Sequence, residues 1–110
     1  MRFPVVLVVL AVGTPIASLA DTITNPTVQG QLPDHCPAIN GPTDCTREKT
    51  VATALCQLYG FQHANNYHLR QIFTKGVQLR LKIDNQGNVY NSEWDQGDIG
   101  ATFDAVDCSH

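Results

Sequence analysis

Apolar residues follow three rhythms along this chain, and each rhythm predicts a different element. Val5–Val12 (VVLVVLAV) is an unbroken apolar run. It is too short to cross a bilayer, which takes about 20 such residues. In Thr46–Tyr59, Val51, Leu55, Leu58 and Tyr59 recur at i, i+4, i+7 and i+8. That spacing places them on one stripe of an α-helix. Arg47, Glu48 and Lys49 then fall on its watery side. Asp44 or Thr46 can cap the start, and Gly60 is a natural stop. In Val77–Ile83 the period becomes two: Val77, Leu79, Leu81 and Ile83 alternate with Gln78, Arg80 and Lys82. A strand with one buried face and one polar, basic face is predicted. Asp84-Asn85-Gln86-Gly87-Asn88 is turn chemistry, so Val89–Trp94 should return as the second strand of an antiparallel hairpin. His68–Phe73 is a weaker strand candidate, and Ala101–Cys108 is expected to end the sheet. Asp21–Asn40 is polar and interrupted by Pro26, Pro33 and Pro37. It reads as an extended arm with at most a short strand near Thr22–Val28. The fold class expected is α+β, one helix packed on a small antiparallel sheet.

The first rhythm gains meaning from its flanks. Arg2 gives a positive start, Pro15 breaks the run, and Ser18-Leu19-Ala20 supplies small residues at a cleavage site. This is the pattern of a cleavable secretory signal. The expected organisation is a signal peptide at 1–20, an extended N-terminal arm at 21–40 and an α+β domain at 41–110. Without Arg2, six basic side chains face ten acidic ones. The mature chain therefore lacks the basic footprint of a generic nucleic-acid binder, although a local basic site on an RNA enzyme stays open. No serine-histidine-acid triad, phosphate-binding glycine loop or cofactor motif appears in the sequence, and neither cofactor nor metal is expected.

Export changes how the cysteines read. Cys36, Cys45, Cys56 and Cys108 all follow the expected cut. Four cysteines in a short exported chain imply two disulfides, because a small core needs cross-links. No C-x2-C spacing supports zinc. Across an intact helix, Cys45 and Cys56 would lie about 16 Å apart along the axis. A disulfide tolerates about 7 Å between Cα atoms, which excludes that pair. The preferred pairing is Cys45–Cys108 with Cys36–Cys56. Cys36–Cys45 with Cys56–Cys108 stays open.

Several short stretches, in order, resemble the fungal guanyl-specific secreted ribonucleases. Ala54-Leu55-Cys56-Gln57-Leu58-Tyr59 is similar to a helix segment of that family. His63-Ala64-Asn65-Asn66-Tyr67 is similar to its histidine followed by Asn-Asn-Tyr. Ile72-Phe73-Thr74-Lys75-Gly76 and Arg80-Leu81-Lys82-Ile83-Asp84-Asn85 resemble the stretch after its catalytic glutamate and its arginine strand. Gly100-Ala101-Thr102 and Val106-Asp107-Cys108-Ser109 resemble its C-terminal end. Such enzymes need a base, an acid and a phosphate-holding arginine for attack by the 2′-hydroxyl.

The resemblance implies a phosphate role for Arg80, with His63 and Lys82 beside it. It also places Leu69 at the glutamate position and Asp98 near the last histidine. Neither can do the work of the group it replaces, so no catalytic residue is assigned. A ribonuclease-like scaffold without its catalytic groups resembles the effectors secreted by plant-pathogenic fungi. That implies a secreted, non-enzymatic virulence protein, monomeric and free of the membrane once its signal is removed. It would bind a host protein or RNA, in the host apoplast or inside the host cell. An active secreted ribonuclease and an unrelated disulfide-stabilised structural or antimicrobial protein are the alternatives. Read without the resemblance, Arg80 and Lys82 are a solvated strand face, His63 and His68 are loop polars, and Tyr90 and Trp94 are packing residues. Glu93 and Asp95 are the carboxylates considered as histidine partners.

Overall fold

A computed structural model describes residues 20–72, 78–94 and 100–110. Its elements are β1 (Ala20–Thr24), β2 (Leu32–Pro33), β3 (Ala38–Ile39), a 3₁₀ turn (Cys45–Arg47), α1 (Glu48–Leu58), β4 (His63–Ile72), β5 (Gln78–Ile83), β6 (Val89–Trp94) and β7 (Gly100–Ser109). The class is α+β. The strands form two sheets where one antiparallel sheet was expected. The first runs β1-β7-β4 and is antiparallel. The second is mixed: β5 pairs in parallel with β2 and β3, and antiparallel with β6. The parallel pairs come from residues 32–39, which the prolines had marked as arm. They supply two strands, and Ala20–Thr24 adds an edge to β7. Pro26, Pro33 and Pro37 are buried, so this segment is part of the packed body.

Asp44, one of the two expected caps, starts the 3₁₀ turn that leads into α1; Arg47, the residue before α1 itself, makes no side-chain capping bond. Asp44 Oδ1 accepts hydrogen bonds from the Thr46 backbone N–H (3.0 Å) and hydroxyl (2.5 Å). These bonds, the hydroxyl first, hold the Asp44 carboxyl below its ordinary 3.8. The helix ends in a Schellman arrangement. Gly60 has φ +94°, its N–H donates to Gln57 O, and Phe61 N–H donates to Cys56 O. The stripe is rotated from its expected phase. Val51 and Leu55 are buried, but so are Ala52 and Cys56, while Leu58 is 57% and Tyr59 41% exposed. Small Ala52 and Ala54 let the helix lie close on β4 and β7, and that contact sets its rotation. Glu48 is only half exposed, because it faces inward at the start of the helix.

Val51, Leu55, Leu81, Ile83, Phe103 and Val106 form the centre of the core. Phe103 meets Tyr67 edge-on at 5.6 Å between ring centroids. The β5–β6 hairpin matches its prediction over every described residue; Val77 and Phe73 lie outside them. Asp84 Oδ1 accepts from the N–H groups of Gln86 and Asn88, which closes the turn. Strand β4 starts five residues earlier than the weak candidate His68–Phe73, because its pairing with β7 carries it, not its own apolar pattern.

The disulfides are Cys36–Cys45 and Cys56–Cys108, so the preferred pairing of Cys45–Cys108 with Cys36–Cys56 is overturned. Cys36 and Cys45 flank a tight loop in which Ile39 N–H donates to Pro42 O and Asp44 N–H to Pro37 O. Their Cα atoms stand 4.4 Å apart. Cys56 lies on the buried face of α1, directly against β7. In the chain-entropy account, bridging the 52-residue separation contributes about 4 kcal/mol and the nine-residue one about 2.5 kcal/mol.

Candidate functional site

Alternation along β5 turns Gln78, Arg80 and Lys82 away from the core, as expected. This face is partly covered: Gln78 is buried, and Arg80 and Lys82 are half-buried. Arg80 stands opposite Glu93 in the β5–β6 register. Its guanidinium lies 2.8 Å from Asp34 Oδ2 and 3.5 Å from Glu93 Oε2. Lys82 Nζ is 3.6 Å from Glu93 Oε1. The Asp34 side chain is 3% exposed and that of Arg80 18%. Asp34 is fixed by its place just after β2: its N–H donates to Leu79 O, and its Oδ1 accepts from Cys36 N–H. Arg80 thus neutralises a buried carboxylate, and a phosphate would compete with two carboxylates for it.

His63, the third residue of the sequence-derived phosphate set, opens β4 in the other sheet, exposed and opposite Ser109. The structure brings Arg80 and Lys82 together and leaves His63 elsewhere. Leu69 is on β4, half exposed and opposite Phe103. Asp98 and Asp95 lie outside the described residues. Glu93 pairs with the two β5 cations rather than with a histidine.

A second polar cluster was missed. His35 Nδ1 lies 2.5 Å from Glu48 Oε2, and Glu48 Oε1 accepts from the Tyr67 hydroxyl at 3.2 Å. His35 Nε2 is 3.2 Å from Cys36 Sγ and 4.0 Å from Asp34 Oδ1. Burial raises the Tyr67 phenol above its ordinary 10.0, helped by the hydrogen bond to Glu48 and by its charge. Glu48 orients the imidazole, which is the geometry of a proton relay. The free end of that relay points at a sulfur and a carboxylate of the protein itself. A His35 ring nitrogen and the Cys36 and Cys45 sulfurs lie within 4.8 Å of one another. In the disulfide both sulfurs are committed to each other. The available sequence signals were weak: a histidine beside a cysteine, and a glutamate in a helix's first turn, where such a residue is ordinary.

The exposed apolar surface lies at the far edge of the second sheet. Val89, Tyr90 and Trp94 of β6 are exposed, Tyr90 by 56%, so these aromatics are not packing residues. Register puts Val89 and Trp94 on the same face as Ile83 and Leu79, beyond the cover of α1. Between β6, the exposed Leu58 and the Val28–Gln29 turn runs a groove of about 300 Å³, floored by Leu81. Among the described residues β6 pairs only with β5, and no described strand pairs its other edge. No helix among the described residues is long and apolar enough to cross a membrane. Comparison with protein-family models, curated proteins and solved structures finds no match.

Proposed function

We propose that this is a secreted binding protein, without catalytic activity, that engages a host protein through β6. The observation that carries the reading is the edge of β6 that no described strand pairs, beside an apolar groove. An open edge offers unpaired backbone groups to an extended segment, and the groove of Val28, Leu58, Val89 and Tyr90 can take an apolar side chain from it. RNA is the less favoured partner, since Arg80 and Lys82 are already matched by carboxylates. The secreted-effector part of the proposal rests on the export pattern of Met1–Ala20 and on the ribonuclease resemblance. A helix over antiparallel strands is in keeping with that resemblance, whereas the C-terminal cysteine is tied to α1 and not to the N-terminal region that the resemblance implies.

The test is selection from a displayed library of linear peptides against the mature protein. Extended peptides with alternating apolar residues should be enriched. A Leu58→Asp, Tyr90→Asp variant with an unchanged circular dichroism spectrum should lose them. Total RNA incubated with the protein should stay intact. No enrichment, together with RNA cleavage, would reverse the reading in favour of a ribonuclease.

A further inference from the structure

The two disulfides sit in different chemical surroundings. Cys56 and Cys108 are both buried in the apolar core. In the other bond Cys36 is buried and Cys45 is exposed. Beside Cys36 stands His35, its Nε2 3.2 Å from the buried sulfur and its Nδ1 held by Glu48. Glu48 is held in turn by the Tyr67 hydroxyl. The imidazole is therefore set against the sulfur that would leave if a thiolate attacked the exposed one.

We propose that Cys36–Cys45 is an exchange-active disulfide, opened at Cys45 by an external dithiol, with His35 receiving the leaving sulfur. One thiol of the dithiol gives up its proton, which passes to His35 Nε2. The thiolate attacks Cys45 Sγ and a mixed disulfide forms. The Cys36–Cys45 bond breaks, and its electron pair stays on Cys36 as a thiolate that accepts a hydrogen bond from His35 Nε2–H. The second thiol then attacks the mixed disulfide at the reductant's own sulfur. Cys45 leaves and takes up that thiol's proton, so the protein is reduced by two electrons and the dithiol oxidised by two. A stabilised leaving thiolate leaves faster, and attack falls on the accessible sulfur. Glu48 acts as a positioning residue, because it sets which nitrogen faces the sulfur.

Opening this bond does not require unfolding. The 36–45 loop is also held by its own backbone bonds and by the pairing of β3 with β5. The core keeps its own cross-link at Cys56–Cys108.

The experiment is a dithiothreitol titration of the folded mature protein, quenched with iodoacetamide and mapped by peptide mass. Cys36 and Cys45 should alkylate while Cys56 and Cys108 stay paired. His35→Gln should slow the opening roughly tenfold, and Glu48→Gln should slow it too, with the circular dichroism spectrum unchanged. Simultaneous alkylation of all four cysteines would overturn the proposal. So would a folded His35→Gln protein that opens at the wild-type rate. If His35→Gln does not fold, the order of reduction in the wild type and the Glu48→Gln rate still decide.

Discussion

Replacing Arg80 by methionine separates the two roles open to this residue. On a solvated strand face, or as a waiting phosphate ligand, Arg80 could be lost at little cost to the fold, within about 0.5 kcal/mol. The geometry gives a different figure. The Asp34 carboxylate is 2.8 Å from the guanidinium, and its side chain is 3% exposed. Removing the cation from a buried pair leaves the carboxylate's charge uncompensated by it, which costs about 3–5 kcal/mol. The Glu93 pair adds little: at 3.5 Å and with the Glu93 side chain 40% exposed, it belongs to the class contributing about 1 kcal/mol or less. Asp34 therefore dominates. With a urea slope of about 1–1.5 kcal/mol/M for so small a chain, the unfolding midpoint of Arg80→Met should fall by about 2–5 M. The double variant Asp34→Leu, Arg80→Met should recover much of that loss, since the buried carboxylate goes with its cation. Loss of packing alone would not give such recovery. Urea melts followed by circular dichroism decide the matter, and a shift under about 0.5 kcal/mol for the single variant would return Arg80 to the solvent.

Two further outcomes follow from the same packing. Leu55→Ala should cost about 2–5 kcal/mol in urea unfolding, whereas Leu58→Ala, at an exposed position, should stay within about 0.5 kcal/mol; equal costs would restore the originally expected phase of α1. Tyr67 keeps its proton to higher pH in the folded chain than in the unfolded one. Its contribution is therefore intact below pH 10.0 and lost as pH rises through the folded value. The Tyr67 phenol should ionise late in an absorbance titration, and Tyr67→Phe should remove that late step.

The elements readable in the sequence are those whose signal is local. The Asp84 turn is closed by bonds two and four residues long, and the Asp44 cap by bonds two residues long. The β5–β6 hairpin follows from alternation on either side of that turn. Strand β4 has almost no buried side chain apart from Ala64, so period two is invisible in His63–Ile72. Residues 20–40 look like an arm because prolines and polar residues dominate them. Their strands are two to five residues long and exist because β5 and β7 offer edges to pair with. The candidate site is harder still. Its bonds link positions 46, 19 and 13 residues apart, and no helix or strand period brings those together.

The disulfide pairing shows where the sequence held more than its apolar stripe. Ala52 and Cys56 are one helical turn apart, i and i+4, next to Val51 and Leu55. Giving the stripe its large residues chose Leu58 and Tyr59 and put Cys56 at the edge. Giving it its small ones centres the face on Ala52, Leu55 and Cys56, the face that is buried. A cysteine there must pair with one that arrives from the sheet, across the core. Cys36 and Cys45 both sit in the segment leading into the helix, closed by its own backbone bonds. Cys108 alone comes from a long strand that α1 covers. The connectivity is thus a consequence of helix phase, and helix phase is set by how closely Ala52 and Ala54 let α1 approach β4 and β7.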